Sequence, residues 1–207
     1  MSIPKFASKE KLFLRGVGIK YLDHPAFNKW FQYFITEYKP PSDKNILLFL
    51  PCSWGKPYSQ SYIHYEIIKT LKKLPFYEKI HQVILSNTGV IPREYEHYWP
   101  FTAYDWEPEK ETKQILSLYL KFAKYRLLKF IKKSRHHYKS IFCYFRRKEE
   151  EEMALKFACA KLGCKFFSLL SEKVFNKYSQ KPYDDLDQIL IEKECLRDLY
   201  KNFLNAK

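Results

Sequence analysis

The sequence predicts an α/β protein built on a mostly parallel sheet with helices on both faces. Three observations predict it. Short, uninterrupted apolar runs at 46–50, 83–85 and 141–145 have the pattern of strands covered on both sides. Segments with apolar residues at helical spacing lie between them, and that alternation yields parallel strands joined by crossover helices. A length of 207 residues suits one such domain, spanning residues 1–207, and is enough to bury a core.

The elements follow in order. After an N-terminal lead-in over residues 1–22, Phe27, Trp30, Phe31, Phe34 and Ile35 recur at helical spacing. They predict a helix over 25–38 that Lys39, Pro40 and Pro41 stop. The first strand, 46–50, ends at Pro51, and a polar turn over 52–59 leads into a helix over 61–73. The second strand, 83–85, ends in the loop Ser86-Asn87-Thr88-Gly89. A stretch rich in proline and aromatics, 91–108, precedes a long helix over 109–133. A third strand at 141–145, a helix at 149–162, a fourth strand at 165–170 and a closing helix over 184–204 complete the chain. The run Glu149-Glu150-Glu151-Glu152 opens its helix, where negative charge complements the macrodipole, and reads as structural. Ligands of such sheets bind beyond the carboxyl ends of the strands, which singles out the loops 52–61 and 86–105.

Composition removes several classes. With 46% hydrophobic and 18% aromatic residues, the chain is too rich in core formers to be disordered. Its five cysteines are odd in number and include no Cys-x-x-Cys pair, the pattern of reduced thiols in a cytoplasm rather than of disulfides or a zinc site. No apolar run approaches the ~18 residues of a membrane span, and residues 1–11 lack the apolar core of a signal peptide. A soluble, cytoplasmic protein is expected. Gly16 and Gly18 are followed by no third glycine and no P-loop lysine, which argues against either familiar Gly-rich nucleotide motif. Nothing in the sequence signals a metal or an organic cofactor.

Charge is unevenly placed. Of a formal +14, the segment from Lys110 to Lys148 holds +12, thirteen bases against the single acid Glu111. On a helical wheel Lys110, Lys113, Lys121, Lys124 and Lys132 share an arc of roughly 100°, opposite Ile115, Leu116, Tyr119, Phe122, Leu127 and Phe130. An ordinary solvated face interleaves signs at i±4, and this one does not. Lys113, Lys121, Lys124, Lys132, Arg135, Arg146 and Arg147 are therefore expected to meet the phosphates of a nucleic acid, positioning it without reading its sequence.

The loop after the first strand is built for chemistry. Residues 51–64, Pro-Cys-Ser-Trp-Gly-Lys-Pro-Tyr-Ser-Gln-Ser-Tyr-Ile-His, bring a thiol, an amine, a phenol, hydroxyls and an imidazole to one strand-to-helix crossover. Ser61 reads as an N-cap that places the His64 ring in the first helical turn, near the loop. Cys52, at a strand end and close to Lys56, is expected to have a lowered pKa. The plainer alternatives are a small core residue for Cys52, a solvated loop charge for Lys56 and packing for Tyr58.

The spacing Pro-Cys-x3-Lys-Pro-Tyr-x2-Ser-x2-His from Pro51 to His64 resembles the signature of the archaeosine synthase core domain. A second block is similar to the same family: His81-Gln82-Val83-Ile84-Leu85-Ser86, then Gly89-Val90-Ile91-Pro92-Arg93-Glu94, then Pro100 and Tyr104-Asp105. The lead-in His24-Pro25 to Trp30 and Tyr38-Lys39-Pro40-Pro41 shares the likeness, which extends over about residues 23–130. The resemblance implies a three-layer α/β/α sandwich of the uracil-DNA-glycosylase-like kind. It also implies a reaction on 7-cyano-7-deazaguanine in the D-loop of tRNA, in which the amino group of free lysine joins the base's nitrile to give an amidine. A radical S-adenosylmethionine enzyme then cleaves the adduct, so that enzyme is an expected partner. The family's usual transglycosylase-like and PUA domains do not fit within 207 residues. The expected alternatives are a separate subunit supplying them, or tRNA held by the basic segment.

Cys52, Lys56, Tyr58, His64 and Asp105 are the expected catalytic residues, and two schemes fit them. In one, Cys52 adds to the nitrile and lysine displaces the thioimide. In the other, lysine attacks directly, His64 or Asp105 takes its proton, and Lys56 or Tyr58 stabilises the imine nitrogen. Ser53, Ser61, Ser86, Gly89, Arg93, Glu94 and Tyr104 are expected to bind substrate, with Arg93 a candidate for the lysine carboxylate. Two other readings remain open. One is a non-catalytic tRNA-binding subunit; the other is a nucleobase glycosylase, which the Cys-Ser-Trp-Gly-Lys-Pro-Tyr loop disfavours because it lacks the water-activating acid of those enzymes.

Overall fold

The structure, a computed structural model, describes residues 3–10 and 12–206. Met1, Ser2 and Lys11, which belong to the stretch read for a signal peptide, and Lys207 lie outside the described residues. In chain order the elements are β1 (Leu14–Gly16), α1 (Ile19–Leu22), α2 (Pro25–Thr36), β2 (Ile46–Pro51), α3 (Tyr62–Leu71), β3 (Ile80–Ser86) and β4 (Gly89–Pro92). There follow β5 (Tyr104–Trp106), α4 (Lys113–Ser134), β6 (Ser140–Cys143), α5 (Glu150–Leu162), β7 (Phe167–Ser168), α6 (Glu172–Tyr178) and α7 (Lys193–Asn205). Five strands form one sheet in the order β4-β3-β2-β6-β7. All its pairs are parallel except β3 with β4.

β2 shows why there are three layers. All six of its residues are buried, and successive side chains point to opposite faces. Leu47 and Phe49 pack with Trp30 and Phe34 of α2, Leu127 and Phe130 of α4 and Leu155 of α5. Ile46, Leu48 and Leu50 pack with Ile63 and Ile67 of α3 and with Leu199 and Phe203 of α7. Both faces are therefore covered, as the uninterrupted apolar run requires. Three helix ends carry local caps. Pro25 opens α2, where its missing N–H costs nothing, and His24 Nδ1 accepts from the Ala26 N–H at 3.2 Å. Thr112 caps α4 by accepting from the Ile115 N–H. Gly163 closes α5 at φ 63°, a left-handed conformation that glycine adopts without strain.

The structure corrects the sequence reading in five places. Residues 89–92, taken for part of a loop and a connection, form the antiparallel edge strand β4, where Pro92 is tolerated because an edge needs fewer donors. Residues 104–106 pair with the lead-in as a two-stranded ribbon, Leu14 with Tyr104 and Arg15 with Asp105. The fourth strand shrinks to two residues, β7, and the unforeseen helix α6 follows it under a Ser171 cap. The long basic helix begins at Lys113 rather than 109, so Lys110 sits in a preceding 3-10 turn and pairs with Glu107 at 2.8 Å. The closing helix splits: the Asp185 carboxylate accepts from the Asp187 N–H, a 3-10 segment runs over Leu186–Ile191, and α7 starts at Lys193.

Candidate active site

β2 is followed by α3 on one face of the sheet and β6 by α5 on the other, so the chain diverges beyond their carboxyl ends and leaves a crevice there. A cavity of about 720 Å³ occupies it. Its walls come from the loop after β2, Asn87 of the β3–β4 turn, β5 and the start of α4, the β6–α5 loop, and residues 184–187.

Cys52, Lys56, Tyr104 and Asp105 meet in this cavity. The Lys56 side chain is 9% exposed, its Nζ lying 3.7 Å from Asp105 and 4.3 Å above the Tyr104 ring. It also donates to the Ser53 and Trp54 carbonyls at 3.3 and 3.4 Å. Burial lowers its pKa, so its ammonium gives up a proton more readily than a surface lysine. Cys52 departs from expectation. Burial, helped by the Asp187 and Glu151 carboxylates, pushes its thiol up to about 12, and Lys56 offsets this only in part. Cys52 is half-buried at the cavity wall, and there the cost of desolvating a thiolate outweighs the favourable Lys56 charge.

Beneath these groups lies a hydroxyl chain. The Tyr58 and Tyr104 hydroxyls are 2.5 Å apart, Tyr104 bonds Ser86 Oγ, and Ser86 Oγ lies 3.0 Å from Thr88 Oγ1. Tyr58 is fully buried, and burial raises both phenols above their ordinary range, so the chain is neutral.

Other expected site residues hold the loop instead of facing the cavity. His64 is fully buried. Its Nε2–H donates to the Pro51 carbonyl at 2.9 Å, and its Nδ1 accepts from Arg93 at 2.8 Å. Burial and then the Arg93 charge keep the imidazole neutral, well below its ordinary pKa. Arg93 also pairs with Glu96 at 2.9 Å, and Glu96 accepts from the Ser59 N–H at 3.1 Å, which fixes the turn over Tyr58–Gln60. With both ring nitrogens engaged, His64 has no free lone pair for a substrate, while Arg93 spends Nη1 on Glu96 and Nη2 on His64 and keeps a buried Nε–H without a partner among the described residues. Glu94 accepts from Tyr38 at 2.5 Å and pairs with His81 at 3.2 Å, away from the cavity. Ser61 caps α3 through the His64 N–H, and Ser53, on the cavity wall, donates to the Gly55 carbonyl. Gly55 sits so close that a Cβ there would lie 2.8 Å from Ser61 Cβ. Gly89 starts β4.

The cavity is strongly acidic, lined by nine carboxyl side chains against the two cations Lys56 and Arg146. Of the nine only Asp105 was an expected site residue, and two of the others stand out. Glu151, from the run read as a helix opening, accepts from the Tyr119 hydroxyl at 2.8 Å, and burial with the Asp187 charge pushes it up to about 7. Asp187 accepts from Arg146 Nε at 2.8 Å and is raised by burial to about 6. The acids of 184–187 were visible as a cluster, but only the fold turns them inward. Among the described residues no group of three or more His, Cys, Asp or Glu side chains is placed to hold a metal ion.

The basic segment is divided by the fold. Lys113, Lys121 and Lys132 stand exposed on α4, and the half-buried Lys124 lies 5.3 Å from the Phe157 ring centre. Arg126 is buried, donating to the Leu22 and Asn87 carbonyls. Arg135 donates to the Leu162 carbonyl. Arg146 pairs with Glu149 and Asp187, and Arg147 with Glu152 and Glu172. Neither arginine is free in the way that α4's lysines are. No helix among the described residues is long and apolar enough to cross a membrane.

A family model described as a domain of unknown function, DUF5591, matches residues 27–164. The archaeosine synthase subunit alpha of Thermoplasma acidophilum is 33% identical over 123 residues, covering 55% of this chain and 24% of that protein. That of Methanosarcina acetivorans is 33% identical over 117 residues, 53% of this chain and 18% of its own length. That of Thermococcus kodakarensis is 35% identical over 97 residues, 45% of this chain and 17% of its own length. The match thus spans a quarter or less of these curated relatives. The crystal structure of AF0587, a protein of unknown function, superposes with a TM-score of 0.53 at 18% identity, over 86% of this chain and 50% of the other, and shares the fold. The matched family segment contains most of the cavity wall and stops short of 184–187.

Proposed function

The chain belongs to the DUF5591 family, and from that premise we propose that it acts in archaeosine biosynthesis, joining the amino group of free lysine to the nitrile of 7-cyano-7-deazaguanine in tRNA. The observation that carries this reading is the pairing of Cys52 with a desolvated Lys56 in an acid-lined cavity. Carboxylates attract a donor bearing two ammonium groups and repel the phosphates of RNA, so a base extruded from the tRNA enters while its backbone stays outside. Cys52, held protonated by burial, adds to the nitrile: the S–C bond forms, one C≡N π bond breaks, and the thiol proton ends on nitrogen. The lysine amine then displaces sulfur, forming the C–N bond and returning a proton to Cys52. Lys56 and Asp105 border the reacting nitrogen. The Tyr58–Tyr104–Ser86 chain shapes the floor beneath it. The exposed lysines of α4, on the face of the helix away from its cavity-lining residues Leu116 and Tyr119, offer contacts to the tRNA backbone. A radical S-adenosylmethionine enzyme would take the adduct onward, and a separate RNA-binding or transglycosylase-like subunit would extend the grip on tRNA.

Incubation with lysine and nitrile-bearing tRNA, followed by mass spectrometry of the nucleosides, tests the reading. The adduct is expected, and Cys52→Ala is expected to abolish it. An adduct that survives in the variant at reduced rate would instead indicate direct attack by lysine. No adduct from the unaltered chain, with or without a partner, leaves tRNA binding as its role, the reading that the α4 lysines favour. Release of a free base would mark a glycosylase.

A further inference from the structure

We propose that Glu151 and Asp187 form the proton relay of this cavity, an inference that rests on the reading just given. The chemistry requires one. Turning an ammonium and a nitrile into an amidinium makes one C–N bond, breaks one C≡N π bond and changes no oxidation state. Two protons must leave the donor nitrogen and two must reach the nitrile nitrogen. The thioimide route adds one proton leaving Cys52 and one returning to it. Each transfer needs a group that takes a proton and one that gives a proton near neutral pH. His64 is removed from that role by its bonds to Pro51 and Arg93.

The two carboxyls occupy one cavity with Cys52 and are held from different elements. Glu151 projects from the first turn of α5 and is fixed by the Tyr119 hydroxyl of α4. Asp187 comes from the segment before α7 and is fixed by Arg146 of the β6–α5 loop. The titratable groups around them are Cys52 and Lys56 from the loop after β2, Asp105 of β5, Glu109 and Glu111 before α4, Arg146, Glu149 and Glu150 beside Glu151, and Asp184 and Asp185 beside Asp187. Burial raises both carboxyls above the ordinary carboxylate range, Glu151 to about 7 and Asp187 to about 6, so the pair can take up and release protons near neutral pH. Asp187 lies beyond the matched family segment, so this chain supplies half of the relay from its own C-terminal part.

The test uses the full chain. Carbon NMR of labelled carboxyl groups, without substrate, should find Glu151 and Asp187 titrating well above the ordinary carboxylate range. With lysine and nitrile-bearing tRNA, kcat should follow a bell with both limbs near neutral pH, and Glu151→Gln should lower kcat by at least about 100-fold and remove one limb, with KM for lysine changed less than about threefold. Asp187→Asn should remove the other limb. An active chain whose variants keep the wild-type rate and bell, or whose two carboxyls titrate near 4, overturns the relay and leaves the function standing. An unaltered chain that forms no adduct overturns both.

Discussion

The Glu151 carboxyl, bonded by Tyr119 and crowded by other acids, holds its proton to about pH 7 in the folded chain. An unfolded glutamate releases it near 4.3. Between those values the folded state binds the extra proton, so stability from this group is fully present below about pH 4 and is lost as pH rises through 7. Glu151→Gln keeps an acceptor for Tyr119 and cannot ionise. At pH 8 the variant should be more stable than the wild type by on the order of 2 kcal/mol, allowing for the partial exposure of the group. That corresponds to a Tm higher by about 4–8 °C for a chain of this size. Near pH 4 the difference should vanish. Thermal melts across pH 4–8 measure it, and a gap independent of pH would mean that Glu151 titrates normally. Gaining stability while losing turnover is the expected mark of a group kept for chemistry. Neither property was legible in the run of four glutamates. The helix opening is local, whereas burial of the third glutamate depends on α4 and on residues 184–187.

At the scale of elements, the loop after β2 is held by the first turn of α3. His64→Ala would strand the Pro51 carbonyl and the Arg93 guanidinium in a buried site and should cost about 3 kcal/mol. Urea unfolding measures the loss, and a change under 1 kcal/mol would show that water replaces the ring. The loop's position was legible, because a wholly apolar strand must be covered and its carboxyl end must then face a crossover. The role of His64 was not. Its residue type suited a general base, but the groups that consume its nitrogens lie 13 and 29 residues away. The same limit hid the β1–β5 ribbon. Three-residue strands carry no periodicity, and theirs exists only because Leu14 meets Tyr104 across the chain. The helices of 25–36 and 150–162 were plain by contrast, the first from its apolar spacing and the second from the acidic run at its start, both written locally.

Across the whole molecule, the net charge of +14 resolves into two opposed surfaces: a cavity of carboxylates and a helix of lysines. Summed along the sequence, the segment from Lys110 to Lys148 looked like one basic patch. Folding buries Arg126, pairs Arg146 and Arg147 with acids from later in the chain, and leaves Lys113, Lys121 and Lys132 exposed with Lys124 half-buried beside Phe157. Under the proposed function, an RNA held at α4 would meet carboxylates at the cavity, which disfavour its phosphates and leave entry to an uncharged base. The two surfaces should separate in kinetics. Replacing Lys113, Lys121, Lys124 and Lys132 together by Ala removes up to four phosphate contacts. It should flatten the plot of log affinity for tRNA against log salt by about 3, since each contact contributes roughly 0.7–0.9 to the slope. KM for tRNA should rise accordingly while kcat at saturation holds. A salt slope unchanged by the four substitutions would move the RNA track off α4. A fall in kcat as well would mean that these lysines also orient the base above Cys52.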